Sequence, residues 1–222
     1  MTSKKRLLKN WRIYPVLYDG LFPGADELLR KFRQLLKSPV DAIQLRLDDI
    51  HDPAIFKAAK RMVSEARKKR IPIIINDRPE TALSLGVSGV HLGKGDIPER
   101  VARKMLGPAA IIGRTVRGPG ELKQLDARHV DYASIGPVHA TPLKPGIRSV
   151  TGSKLRRARG AARMPLVAIG GINADNAGKV VREGIRAVAF ARYALRDKDT
   201  PGKIKLLRKK IDAAEKRPDH AH

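Results

Sequence analysis

A chain of 222 residues with 42% hydrophobic residues is sized for one barrel-sized core and is too short for two full domains. The absence of cysteine excludes disulfides, thiolate metal sites and a cysteine nucleophile. Lysine and arginine number 46 against 22 acidic residues, and the resulting charge of +24 would attract polyphosphates, nucleic acid or acidic surfaces. The basic residues are spread along the chain, and aromatics at 4% are too sparse for a base-stacking platform. Most of the charge therefore reads as solvated surface, with nucleic-acid association weak and non-specific if it occurs at all. No apolar run reaches the ~20 residues that cross a bilayer. Residues 1–6 are basic, but only Leu7 and Leu8 follow before Lys9, so the apolar stretch of a secretory signal is missing. A cytoplasmic protein without a membrane partner is the expectation.

In chain order, residues 1–10 read as a basic N-terminal extension. Strands are predicted at 12–18, 41–46, 71–76, 89–92, 110–113, 131–136, 166–170 and 187–191, mostly as continuous apolar runs, as in parallel sheets covered on both faces. A helix over 26–36 places Leu28, Leu29, Phe32, Leu35 and Leu36 on one face. Pro53 opens the next helix, which ends in the basic cluster at 67–70, where cations suit a helix C-terminus. Asn173 is expected to cap a helix over 174–182, with Gly184 as its stop. The last helix follows Pro201 and carries Ile204, Leu207 and Ile211 on one side. Eight strand–helix repeats imply an α/β fold: a single (β/α)8 TIM barrel of eight parallel strands over 11–214. Residues 215–222 read as a polar, disordered tail, with His220 and His222 as solvated ends rather than metal ligands.

Residues that act in a barrel sit on the loops after its strands. Here those loops hold Gln44 and Arg46, Asn76 and Asp77, a segment from His91 to Asp96, Arg114 and Thr115, His139 to Gly146, Gly170 and Gly171, and Ala191 and Arg192. Each has a bland reading: Asn76 and Asp77 could cap the next helix, and the glycine pair could be a tight turn. A glycine pair before an Asn-capped helix is also an arrangement that binds phosphate through backbone N–H groups. Asp77 and Asp96, on adjacent loops, could converge as oxygen ligands for Mg²⁺, which takes one or two carboxylates plus substrate phosphates and waters. Arg46 and Lys144 would add positive charge. His91 reads as packed or hydrogen-bonded rather than catalytic. His139, on a rim loop, reads as a usable base whose neutral form is favoured by nearby cations.

Four stretches in this order and spacing resemble the thiamine phosphate synthase family and its thiazole tautomerase relatives. They are Ile43-Gln44-Leu45-Arg46; Ile75-Asn76-Asp77-Arg78 through His91 to Asp96; Gly136-Pro137-Val138 to Thr141 and Lys144; and Val167-Ala168-Ile169-Gly170-Gly171-Ile172 with Asn176. The resemblance implies a transferase of thiamine biosynthesis that joins hydroxymethylpyrimidine diphosphate to thiazole phosphate and releases diphosphate. Carried over by position, Asp77 and Asp96 would hold Mg²⁺, while Gln44, Arg46, Asn76 and Lys144 would contact the diphosphate substrate. Thr115 would lie near the pyrimidine, and Arg46, Lys144 and Thr115 would carry the catalysis. Thr141 would bind the thiazole substrate, and backbone amides of Gly171, Ala191 and Arg192 its phosphate.

Three positions depart from the family's pattern. Asp48 stands where it has a lysine, Leu143 where it has a second hydroxyl, and Arg192 where it has a serine. Lys94 and Arg114 are the candidates to replace the missing charge. Two other functions stay open from the sequence. One is thiazole tautomerase, an isomerase that would use His139 as its base. The other is a diverged, non-enzymatic phosphate-binding barrel.

Overall fold

Side chains alternate across a strand, so every strand of a closed sheet serves two cores at once. In the computed structural model, which describes residues 3–142 and 146–216, the two cores separate along that parity. Eight strands form a closed parallel barrel in sequence order: β1 (Ile13–Tyr18), β2 (Ile43–Arg46), β3 (Ile73–Asn76), β4 (Gly89–Leu92), β5 (Ile111–Val116), β6 (Tyr132–Ile135), β7 (Leu166–Ile169) and β8 (Ala187–Phe190). The pairing of Ile13 with Val188 closes the ring. Ile13, Leu17, Ile43 and Leu45 face outward against helices, whereas Tyr14, Val16, Ile74 and Tyr132 face inward. This is the single (β/α)8 barrel expected from the strand–helix alternation.

The helices are α1 (Ser3–Lys9), α2 (Ala25–Leu36), α3 (Pro53–Lys68), α4 (Pro79–Leu85), α5 (Glu99–Leu106), α6 (Pro119–Gln124), α7 (Ser153–Ala161), α8 (Ala177–Arg182) and α9 (Thr200–Glu215). Helix α2 forms because its apolar residues recur at helical spacing, and it buries Leu28, Phe32 and Leu35 completely against the sheet. Phe32→Ala would cost about 3–5 kcal/mol by opening a cavity there. Asp52 caps α3 by accepting from the Ala54 amide, and Pro53 occupies its first turn. Within the basic extension, α1 brings Leu8 and Trp11 under the barrel, where both are buried. Lys4 fastens it there, donating to the carbonyls of Pro108 and Ala110 and pairing with Asp131 at 2.7 Å.

Three differences from the sequence reading bear on the site and the C-terminus. Strand β5 continues to Val116, so Arg114 and Thr115 lie in the strand and not on the loop after it. Regular helix α8 begins at Ala177 rather than at residue 174. Asn173 still acts as a cap, but of the turn leading into α8: its side chain accepts from the amides of Asp175 and Asn176. Glu215 belongs to α9 and pairs with Arg12 at 2.6 Å, so it is not part of a loose tail. His220 and His222 lie outside the described residues. Among the described residues, no helix is long and apolar enough to cross a membrane.

Candidate active site at the strand ends

The inward residues near the C-terminal ends of the strands line a cavity of about 310 Å³, within the size range of small-molecule sites. Its floor is a chain of buried polar groups. Gln44 donates through Nε2 to the Tyr14 hydroxyl at 2.9 Å, and that hydroxyl lies 2.8 Å from the hydroxyl of Tyr132. Tyr132 reaches His91 Nδ1 at 2.9 Å, and His91 Nε2 reaches Thr115 Oγ1 at 2.9 Å. Gln44 Nε2 can only donate, so Tyr14 accepts from it, while the direction of the bonds beyond Tyr14 is set by the His91 tautomer. The Thr115 hydroxyl also lies 3.4 Å from that of Ser134. Burial raises the pKa of both tyrosines, so they remain neutral links in the chain. Gly113 makes room for it: a β-carbon there would sit 2.1 Å from the Tyr132 ring. His91 is thus hydrogen-bonded, as the sequence suggested, and forms part of the floor.

At the mouth above β3 and β4, Asp77 adopts a left-handed backbone conformation, with φ of 65°, which short polar residues tolerate. Its amide donates to the carbonyl of His91. This turn aims Asp77 across Gly93 at Asp96: a β-carbon on Gly93 would lie 3.3 Å from Asp96 Oδ2 and 3.6 Å from Asp77 Oδ1. Desolvation, and then the adjoining Asp96 carboxylate, raise the Asp77 pKa to about 7, with Arg46 pulling the other way. Asp77 is nonetheless exposed at the rim, so a cation from solvent can reach the pair. The donor set suits Mg²⁺, a hard cation that needs few protein carboxylates. Among the described residues, no cluster of three or more such ligands exists.

Arg46 lines the cavity, yet its charge is already engaged. Its guanidinium donates to both carboxylate oxygens of Asp48, at 3.1 and 3.2 Å, and lies 4.6 Å from the centre of the Tyr18 ring. Asp48 therefore masks the strand-two arginine from beside it and does not line the cavity itself.

Across the barrel, Thr141, Gly171, Ala191 and Arg192 line the same cavity. Gly171 has φ of 62°, and a β-carbon there would meet the Ala140 carbonyl at 2.6 Å, so only glycine fits. Among the described residues, the backbone N–H groups of Gly171, Ala191 and Arg192 donate to no other protein group. The amides at the start of the α8 turn differ, because the side chains of Asn173 and Asn176 already accept from them. The helix therefore contributes less to an anion site than the sequence suggested, and the glycine turn and the end of β8 contribute more.

The structure thus gathers Gln44, Arg46, Asn76, Thr115, Thr141, Gly171, Ala191 and Arg192 around one cavity, with Asp77 and Asp96 paired at the mouth. Lys94 and Arg114 do not join them. Arg114 turns to Glu99 at 3.9 Å and to the Ile97 carbonyl, while Lys94 approaches Glu121 at 3.8 Å. His139 lies behind Gly171 and not in the cavity wall. Burial, and secondarily Lys179, lower its pKa. Leu143 and Lys144 lie outside the described residues. Sequence reasoning missed Tyr14, Tyr18, Tyr132 and Ser134. Strand parity was the available signal, since Ser134 pairs in register with Thr115, and Tyr132 with Gly113.

Residues 13–193 match the family model described as thiamine monophosphate synthase. A thiamine-phosphate synthase of Syntrophomonas wolfei is 32% identical over 200 residues, covering 90% of this chain and 95% of the relative. Another, from Synechocystis, is 35% identical over 167 residues, covering 75% of this chain; there the match spans only 49% of the longer relative. The solved structure of a thiamine phosphate pyrophosphorylase from Pyrococcus furiosus superposes with a TM-score of 0.82 at 26% identity, covering 96% of this chain and 99% of that one. A match of such length and order, on a barrel whose polar residues meet at one mouth, establishes that the chain belongs to the thiamine monophosphate synthase family.

Proposed function

We propose that the chain is a thiamine-phosphate synthase that joins hydroxymethylpyrimidine diphosphate to thiazole phosphate and releases diphosphate. The observation that carries this reading is the pair Asp77 and Asp96 at the mouth. Two carboxylates held together at an exposed rim are unfavourable without a cation, and a proton shift on the thiazole alone has no use for them. The tautomerase alternative also loses its base, because His139 does not line the cavity.

Breaking the pyrimidine–diphosphate bond places developing negative charge on the leaving diphosphate, so catalysis consists mainly of stabilising that charge. In this reading Asp77 and Asp96 hold Mg²⁺, which when bound neutralises the diphosphate. Arg46, Asn76 and Lys144 bind its oxygens. Gln44 is fixed by Tyr14, and Thr115 is fixed by His91, so both present rigid polar groups to the pyrimidine. The thiazole partner rests beside Thr141, with its phosphate on the amides of Gly171, Ala191 and Arg192. The closed floor keeps bulk water from the reacting centre, where it would compete with the thiazole nitrogen. A cytoplasmic place among the enzymes of thiamine biosynthesis goes with this reading.

The test is diphosphate release from the two substrates, assayed with Mg²⁺ and with chelator. Release that requires both substrates and Mg²⁺ is expected. No release under saturating conditions would overturn the assignment.

A further inference from the structure

Two arginines of opposite fate line the cavity, at the ends of β2 and β8, the two strands that flank β1. Among the described residues, Arg46 and Arg192 are its lining arginines, and no aspartate or glutamate lines it. Arg46 is bound by Asp48 through two hydrogen bonds. The Arg192 guanidinium has no ion-pair or hydrogen-bond partner among the described residues. Arg192 is half-buried and belongs to the lining of a cavity that no carboxylate of the described residues lines, so a bound anion would supply the partner its charge lacks. It also stands beside the open backbone amides of Gly171 and Ala191.

We infer that Arg192 is a specificity-determining binding residue, the side chain that anchors the phosphate of the phosphomonoester substrate at the ends of strands seven and eight. This rests on the synthase reading for the identity of the ligand, but not for its charge. The two departures from the family's pattern then belong together. At strand two, Asp48 replaces a cation and occupies Arg46; at strand eight, Arg192 introduces a cation where a hydroxyl stood. Positive charge is lost at the end of β2 and gained beyond the end of β8, two strands away around the barrel. Arginine suits that task because its planar fork offers paired donors to phosphate oxygens, which a serine hydroxyl cannot.

The position of Arg192 is fixed independently of any ligand. Phe190 and Tyr193 pack edge to face at 5.9 Å, and the Tyr193 hydroxyl donates to the Lys203 carbonyl at 3.5 Å, so the turn carrying Arg192 is held from both sides. Since its guanidinium makes no hydrogen bond or ion pair among the described residues, replacing it should leave folding intact.

Calorimetry on the intact chain provides the test, using thiazole phosphate, the unphosphorylated thiazole alcohol and hydroxymethylpyrimidine diphosphate as separate titrants. Arg192→Ser should weaken thiazole phosphate binding roughly ten- to a hundredfold, the scale of a lost hydrogen bond to a charged group. Binding of the alcohol and of the pyrimidine diphosphate should not change, and Arg192→Lys should recover part of the loss. Unchanged phosphate affinity in Arg192→Ser, an equal loss for the alcohol, or a loss confined to the pyrimidine diphosphate would each overturn the inference. Diphosphate release by the unmodified protein is measured alongside. Turnover with an indifferent Arg192→Ser refutes the inference and leaves the synthase reading standing. Arg192-dependent phosphate binding without turnover refutes the synthase reading and leaves the inference standing.

Discussion

The ends of strands two to four and the ends of strands seven and eight serve the same cavity by opposite means. On the first side the polar groups are charged side chains already engaged with one another: Asp77 with Asp96, and Arg46 with Asp48. On the second, the groups are backbone amides held open by a glycine turn, with one unpaired arginine added. Side chains that pair with one another must reorganise when ligand arrives, whereas amides fixed by backbone geometry need not. The first side can therefore be tuned by single substitutions or by a metal ion, and the second is set by the shape of the chain. Breaking each side should produce a different kind of damage.

The largest effect is expected on the charged side. Asp77→Ala removes half of the carboxylate pair and should lower kcat/KM by on the order of 100-fold or more. The residual activity should no longer respond to Mg²⁺. Initial rates across a Mg²⁺ titration check this, and full, Mg²⁺-dependent activity in the variant would sink the metal assignment. Stability should barely fall, because Asp77 is exposed and its carboxylate neighbours another.

Gly171→Ala should do the reverse, harming the fold as well as the site. The new β-carbon would press on the Ala140 carbonyl in a backbone region that disfavours side chains. Such strain costs about 1–3 kcal/mol, and in a chain of this size each kcal/mol lowers Tm by about 2–4 °C. Thermal melts should therefore drop by several degrees, together with a loss of thiazole phosphate affinity. An unchanged Tm would mean that the turn is looser than its geometry implies. The contrast between an active-site lesion on one side and a structural one on the other is the comparison in measurable form.

Most of the fold could be read from the sequence because parallel strands under helices are continuous apolar runs, and amphipathic helices repeat at a different period. Reading failed where a residue's role depended on a neighbour distant in sequence. Gly113 and Arg114 resembled a strand ending in a loop. In the barrel, Gly113 instead clears space for the Tyr132 ring, and Arg114 points outward to Glu99, leaving Thr115 on the inner face. Tyr14 and Tyr132 are not marked out by the sequence because nothing local shows that their hydroxyls meet, 118 residues apart. Asn173 was recognised as a cap, but the length of the turn it caps was not. The nearness of Asp77 and Asp96 is legible in the sequence, since strand order alone puts the ends of β3 and β4 side by side. That Arg46 would turn to Asp48 could not be read, because a two-residue spacing at a strand end is compatible with either direction.

The Arg46–Asp48 pair offers the finest test of the comparison, and the smallest change. A cation restored at strand two should strengthen diphosphate binding without altering the phosphomonoester side. Asp48→Lys releases Arg46 and substitutes a cation for an anion beside it. The gain is limited by exposure: the two side chains are 41% and 48% accessible, so water already screens the pair. Pairs of this kind are worth about 0–1 kcal/mol, which translates to a rise in kcat/KM for the pyrimidine diphosphate of at most about fivefold. Asp48→Asn, which frees Arg46 without adding a cation, should fall between the two. Steady-state kinetics with each substrate varied separately distinguish the outcomes: KM for the pyrimidine diphosphate should fall while that for thiazole phosphate holds. A gain in the thiazole phosphate KM instead would mean that the two halves of the cavity are electrostatically continuous, and the division between a tunable side and a fixed side would collapse. A silent Asp48→Lys would mean that Arg46 swings away from Asp48 to the diphosphate at negligible cost, so the pairing does not restrain it.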